Sequence, residues 1–262
     1  VTTKDGGPPT APLPASSTAR VVAVLDALVR APSGGSGVRE LAAELMLSRS
    51  ATHRILTALA DLGLARVLDS GRYEFTPVVS AWAYSVSEQH PILTAARPVM
   101  ARLAAASGEN VHLLLVTPQP GLGVFVATAR GTNPVQRAVE LGTPLGLTAG
   151  AAAKAVLASL PAADQAGVLQ ELARADPERA ARLAAELPGI RAAGHATSLE
   201  ELIADAAGVA APFLRFGTVA GALTISMPAY RRLAAGDAQR ADQVRAAAAE
   251  LTGALEVADR RT

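Results

Sequence analysis

Cysteine is absent from this chain of 262 residues, and aromatic residues make up only 3% of it. Without cysteine there can be no disulfide, thiolate zinc site, iron–sulfur cluster or thiol nucleophile. An excess of one charge is lacking too: 24 Lys and Arg stand against 23 Asp and Glu, a net of +1. That excludes a uniformly basic nucleic-acid coat and permits a local DNA site within a balanced protein. Nor is there a charge-free apolar run of about 18 residues, so no membrane span is expected and the location is expected to be cytoplasmic. Residues 1–17 are rich in Pro, Gly, Ser and Thr. They hold no apolar core segment, and a disordered tail is expected there rather than a secretory signal. What is present is apolar bulk, 50% of the chain, much of it alanine. One or two domains with closely packed, Ala-rich helices follow.

The densest pattern lies between Arg39 and Phe75. It predicts a short helix, a tight turn, a longer helix with a polar start, and a small hairpin. That is the layout of a winged helix-turn-helix, whose second helix enters the DNA major groove. With residues about 100° apart, Ala51, Ile55, Ala58, Leu59 and Leu62 share one sector and are expected to face a core. Ser50, His53, Arg54 and Thr57 fall opposite. Ser48 precedes the helix as its N-cap. The first turn therefore offers free amides together with Arg49, Ser50, Thr52 and His53 to a phosphate or a base edge. Upstream, Leu41, Ala42 and Leu45 suit a packed preceding helix, and Leu47 bridges the two.

Residues 65–68 and 72–75 flank Asp69, Ser70 and Gly71 as a hairpin, with Arg66 and Arg72 at its two ends, where a DNA backbone would pass. Residues 17–80 hold seven Arg and six Asp or Glu. Charge adds little here, and the reading rests on order and spacing. Taken singly, Arg49 or Arg54 reads as a solvated surface residue sooner than as a base reader.

Around this module the pattern predicts a first helix over 18–31, with Val21, Leu25 and Leu28 at core spacing. A flexible loop is expected over 32–37. The module spans 18–76, a linker helix 77–91, and a second domain 92–262. Within the latter, helices are predicted over 93–107, 149–160, 164–175, 177–193 and 234–259. Strands are predicted over 111–116, 124–129, 135–141, 209–216 and 219–227. Mixed helices and strands over about 150 residues indicate an α+β sensor-like domain.

Four stretches in this order resemble the IclR-type family of bacterial transcriptional regulators, and together they span nearly residues 18–258. They are Glu40–Leu45 with Ser48–Leu59; Gly142–Ala158; Ile190–Ala196 followed by Glu201 and Gly208–Phe213; and Ala222–Pro228. The resemblance implies an N-terminal winged helix joined to a C-terminal GAF-like effector domain. It also implies a homodimer or homotetramer on a palindromic double-stranded DNA operator near metabolic genes, with repression the expected sense. The small-molecule effector would be an aromatic or organic acid. Its pocket would be lined by Leu145, Leu147, Ala149, Gly150 and Ala151, by Glu201, and by Thr224 and Ser226. The chain departs from the family at several positions. Met46 and Asp205 stand where glycine is usual, as does Ala153. Thr148 replaces a common histidine, and Gly150 a small hydroxyl residue. If the backbone at Met46 needs positive φ, the side chain costs on the order of 1 kcal/mol.

The residues alone support the pocket in outline. Thr224 and Ser226 alternate with Ile225 and share a strand face. A helix start near Ala149 favours an anionic head group. Both hydroxyls also read as ordinary half-buried strand residues. Lys154, in an alanine helix, reads as solvated or paired rather than as a Schiff-base lysine. His53, His90, His112 and His195 are scattered without ligand spacing, so no metal is expected. His195, after Gly194, reads as structural or as an effector donor. Gly121 and Gly123 make no phosphate loop, and no cofactor is expected. Trp82 is expected to pack in the linker region at a dimer surface. Two alternatives remain: a small-molecule-transforming enzyme, against which no nucleophile–base pair is visible, and a regulator with a degenerate pocket that answers to a partner protein.

Overall fold

The structure, a computed structural model, describes residues 16–235 and 237–260. Apart from Ser16 and Ser17, the expected tail lies outside the described residues. The chain divides into two compact units that meet in sequence at His90 and Pro91.

The N-terminal unit opens with α1 (Ser17–Val29), capped by Ser16, whose hydroxyl accepts from the Ala19 amide at 3.2 Å. Helices α2 (Val38–Glu44) and α3 (Arg49–Asp61) follow, and then strands β1 (Ala65–Val67) and β2 (Tyr73–Phe75), paired antiparallel with Arg66 opposite Glu74. Val24, Leu28, Leu41, Leu45, Leu56, Leu59 and Tyr73 form the core. The turn after α2 satisfies its carbonyls in a Schellman arrangement. The Leu47 amide donates to Ala42 O at 2.9 Å and the Met46 amide to Ala43 O at 3.3 Å. Met46 takes φ 52°, the left-handed conformation that its place in the turn demands.

Two expectations need correction in this unit. The core face of α3 is carried by Thr52, Leu56 and Leu59, while Ala58 is exposed and Leu62 is 73% exposed. The helix is thus turned by about 80° from the expected sector, because Leu56 outweighs Ala51 and Ala58 as a core residue. The segment 32–37 is not a free loop. Ser36 exchanges two backbone hydrogen bonds of 2.9 Å with Tyr73 and adds a one-residue third strand to the wing. The linker helix α4 (Pro77–Gln89) buries none of its residues, and Val78, Trp82, Tyr84 and Val86 are all exposed.

The C-terminal unit begins with α5 (Pro91–Ser107). Then come β3 (Asn110–Val116), β4 (Leu122–Ala129), β5 (Pro144–Gly146), α6 (Ala151–Ser159), α7 (Ala162–Ala175) and α8 (Pro177–Ala193). The remaining elements are β6 (Ala196–Leu199), β7 (Ala206–Arg215), β8 (Thr218–Pro228), α9 (Ala229–Ala235) and α10 (Ala238–Asp259). The strands form one antiparallel sheet in the order β5-β4-β3-β8-β7-β6. Alternation along the strands makes two cores. Val111, Leu113, Leu223, Ile225 and Met227 meet α5 and α10 on one face. Leu114, Phe125, Ala210 and Ala222 meet α6 and α8 on the other. All eight residues from Ala151 to Ala158 are buried, so α6 is a central helix rather than an amphipathic one.

The predicted strand over 135–141 is not formed. Its polar groups are tied elsewhere: Arg137 O accepts from Asn110 Nδ2 at 2.9 Å, and the Arg137 side chain donates to Asp205 O at 3.1 Å. The sheet is closed on that side by β5 instead. The single C-terminal helix expected over 234–259 is split between α9 and α10.

Candidate DNA-reading helix and effector cavity

Helix α3 begins where Ser48 accepts a hydrogen bond from the Ala51 amide at 3.2 Å, with Ser50 Oγ at 3.2 Å from the same hydroxyl. Arg49, Ser50, His53 and Arg54 are exposed along its start. Among the described residues neither arginine is in an ion pair, unlike Arg30, Arg66 and Arg72. Thr52 has no exposed surface, and its hydroxyl donates to Ser48 O at 3.2 Å. It anchors the helix start and is not at the surface, contrary to expectation. The wing arginines are occupied as well. Arg66 pairs with Glu74, its Nε at 2.8 Å from the carboxylate. Arg72 binds Glu40 in a fork at 2.7 and 2.8 Å and also donates to Gly35 O. The Arg72 guanidinium and the Gly37 amide hold the exposed Glu40 carboxyl below the usual carboxylate range. Arg72 therefore fastens the wing to α2 and to the segment before it.

In the C-terminal unit the start of α6 lies over the sheet. Gly150 takes φ 84°, and a Cβ there would meet Leu202 Cδ1 at 2.4 Å, so only glycine fits this corner. The Gly150 amide donates to Glu201 Oε2 at 2.9 Å, and Lys154 Nζ lies 2.6 Å from Glu201 Oε1. A carboxylate is thus seated at a helix N-terminus, where the free amides and the dipole favour negative charge. Lys154 also reaches Glu186 at 3.2 Å, so its buried ammonium is paired.

Between this corner and the sheet lies a cavity of about 50 Å3, lined by Phe125, Val139, Gly150, Ala151, Glu201, Leu202, Ile203, Thr224 and Ser226 among others. Five of the eight expected effector residues, Gly150, Ala151, Glu201, Thr224 and Ser226, meet there. Leu147 is fully buried in the core beside Leu114 instead, and Leu145 sits on the edge strand β5. Ala149 borders an outer cleft of about 450 Å3 with Arg179, Arg182 and Glu200, which shares Glu201 and Leu202 with the cavity. Another cleft, of about 470 Å3, runs past His195, Thr197 and Arg232.

Three neighbours were missed. Phe125 and Leu202 carry no polar signal. His112 lies on the cavity face of β3, opposite Thr224 of β8 and Thr128 of β4. Its Nδ1 is 2.8 Å from Thr128 Oγ1 and its ring meets Phe125 edge-on. Burial pushes the imidazole down to about 4, against a weaker upward pull from the Arg137 backbone.

Comparison with known proteins bears on both units. The family model described as "IclR helix-turn-helix domain" matches residues 17–69, and "Bacterial transcriptional regulator IclR C-terminal" matches residues 81–252. The transcriptional regulator BhcR of Paracoccus denitrificans is 28% identical over 243 residues, covering 89% of this chain and 85% of its own. The repressor AllR of Klebsiella pneumoniae is 26% identical over 263 residues, covering 94% and 92%. Among solved structures, the IclR regulator of Alicyclobacillus acidocaldarius superposes with a TM-score of 0.80 at 21% identity, covering 91% of this chain and 98% of its own. A homologue from Microbacterium hydrocarbonoxydans, complexed with 4-hydroxybenzoate, gives 0.74 at 18% identity, covering 92% and 100%. These relatives are transcriptional regulators rather than enzymes. With both halves matched in order, the chain belongs to the IclR family of bacterial transcriptional regulators.

Proposed function

We propose that this regulator is a ligand-responsive repressor. It binds a palindromic operator through Ser48, Arg49, Ser50, His53 and Arg54 and answers to a small organic acid in the cavity beneath α6. Residues 18–76 form the DNA-binding domain, 77–91 the linker and 92–262 a GAF-like effector domain. The observation that carries the DNA reading is the contrast among arginines. Those of the wing are spent on Glu74 and Glu40, whereas Arg49 and Arg54 stand exposed on the helix that such modules lay in the major groove. The effector reading is supported by the carboxylate-binding corner of Gly150 and Lys154 above a cavity with apolar walls and the hydroxyls of Ser198, Thr224 and Ser226. The exposed apolar residues of α4 suit a homodimer, with half-sites about 34–36 Å apart or a multiple of that. The working location is cytoplasmic, where operator DNA is.

Fluorescence anisotropy on DNA from upstream of the protein's own gene, against scrambled DNA over a salt series, tests the DNA reading. Specific binding that weakens with salt supports it. Equal, weak binding to both DNAs, and to the promoters of neighbouring genes, counts against it.

A further inference from the structure

A module that holds DNA draws much of its affinity from phosphates, and roughly half to two-thirds of such hydrogen bonds go to the backbone. The winged unit has few cations for that task. Residues 17–76 contain no lysine, so it falls to arginine. The wing, the expected place of these contacts, offers neither of its two: Arg66 is paired with Glu74, and Arg72 with Glu40. Arg30 is paired with Glu44. Each glutamate of the unit is thereby matched to an arginine. The arginines left on α2 and α3 are Arg39, Arg49 and Arg54. The last two belong to the reading helix, and Arg39, on α2, stands apart from them.

Arg39 is exposed and has no ion pair among the described residues. Its own helix offers it none. The side chains that could face it, three and four residues on, are Ala42 and Ala43. Glu40 and Glu44 lie about 100–140° round the helix from it, held by Arg72 and Arg30. Ala43 is exposed on the same flank as Arg39, and its carbonyl accepts from the Met46 amide at 3.3 Å. That flank therefore runs, without a carboxylate, into the turn that leads to Ser48 and α3.

The placement suits a phosphate rather than a base. Arg39 stands about 9 Å along α2 from Leu45. The two helices of this motif cross at about 90–120°, so with α3 lying in the groove that distance runs across the groove and not along it. The major groove is about 12 Å wide, and a helix fills it. Arg39 is then over the groove wall, where the phosphates are. We propose that Arg39 is the phosphate anchor of the module: its guanidinium binds the DNA backbone beside the groove that α3 enters, in place of the wing arginines. The proposal rests on the DNA reading above and adds to it a contact that sets register and affinity and reads no base. Glu40 and Glu44, each matched by its own arginine, leave little uncompensated negative charge beside that phosphate.

The anisotropy titration over a salt series, on the upstream DNA and on scrambled DNA, tests this with wild type, Arg39→Ala and Arg39→Lys. Melting curves first establish that each variant folds. Arg39→Ala should bind both DNAs more weakly by the same factor, with the preference for the upstream DNA unchanged. The slope of log K against log salt should become shallower by about 0.9 for each copy bound. Between about 50 and 200 mM salt, the alanine variant should then lose roughly threefold less affinity per copy than wild type does. Arg39→Lys keeps the charge and should keep the slope. An unchanged slope in Arg39→Ala, or one that falls as far in Arg39→Lys, overturns the contact and leaves the DNA reading standing. A preference lost together with Arg39 makes it a base reader and overturns its assignment to phosphate. A wild type with no preference for the upstream DNA or the neighbouring promoters overturns the DNA reading itself, and the anchor falls with it.

Discussion

Replacing Met46 by glycine should stabilise the N-terminal unit. Met46 holds φ 52° in the turn between α2 and α3, and its side chain is 73% exposed, so removing it gives up almost no packing. A non-glycine residue in this conformation costs roughly 1–2 kcal/mol. Glycine removes that strain and adds about 0.5–1 kcal/mol of unfolded-state entropy. The net is a gain of about 0.5–1 kcal/mol. The two turn hydrogen bonds, from the Met46 and Leu47 amides, are unaffected because both use backbone alone. Urea unfolding of the winged unit is the assay, with Met46→Ala as control. Alanine keeps the Cβ that clashes, and should leave the midpoint near that of wild type. If Met46→Gly shifts the midpoint down, or if alanine gains as much as glycine, the strain argument is wrong.

Three further outcomes are expected. Arg54→Ala should weaken specific operator binding by about 1–3 kcal/mol if Arg54 reads a base, with an unchanged melting curve, and an unaltered anisotropy titration would remove it from the contact set. The buried His112 has a folded-state pKa of about 4 against an ordinary 6.5, so the unfolded chain takes up its proton first. Its contribution is fully present above pH 6.5 and is lost as pH falls through that range toward 4, by about 3 kcal/mol in all. His112→Leu should remove this part of the acid slope, and parallel pH–stability curves for the two proteins would contradict it. Arg231→Ala should destabilise the C-terminal unit by about 3–5 kcal/mol, because Glu109, wholly buried and held at 2.6 and 2.9 Å by that guanidinium, would lose its counter-ion. Chemical denaturation followed in the isolated transition of that unit reads the loss.

Capping and breaking residues made many of the element boundaries legible. Ser48 begins α3, Pro177 begins α8, and His90 before Pro91 ends α4, each for a local steric or hydrogen-bonding reason that needs no tertiary context. Of the three positions where the family resemblance puts glycine, Met46 and Asp205 take positive φ, whereas Ala153 lies inside α6. The rotation of α3 was not legible, because Ile55, Leu56, Ala58 and Leu59 allow two overlapping apolar sectors and only the packing of α1, α2 and β1 decides between them. The 135–141 segment has a strand's composition, yet its carbonyl and guanidinium find Asn110 and Asp205, partners distant in sequence. His112 was hidden for a related reason. In β3 it alternates with Val111 and Leu113 as a solvent-facing polar residue would, and only the unbroken apolar run of α6 indicates that this face is also covered. That same run holds the clue to Lys154: a helix with no polar side is buried, and a lysine inside it must be paired.

The Glu201 corner sets a condition on any effector. Glu201 is tethered, so it competes at an effective concentration of millimolar or above, the scale for short flexible linkers. A guest that offered only a carboxylate would exchange one oxygen pair for another at Gly150 and Lys154 and gain nothing at lower concentrations. A ligand shifts an equilibrium only by its differential affinity for the two states. The surplus must come from contacts that the Glu201–Ile203 segment does not make. Burial of apolar surface against Phe125 is one such source. Small carboxylates such as acetate should therefore leave the protein's melting point unmoved at concentrations where a ring-bearing acid raises it. A rise with acetate equal to that with an aromatic acid would mean that the Glu201 contact is no barrier.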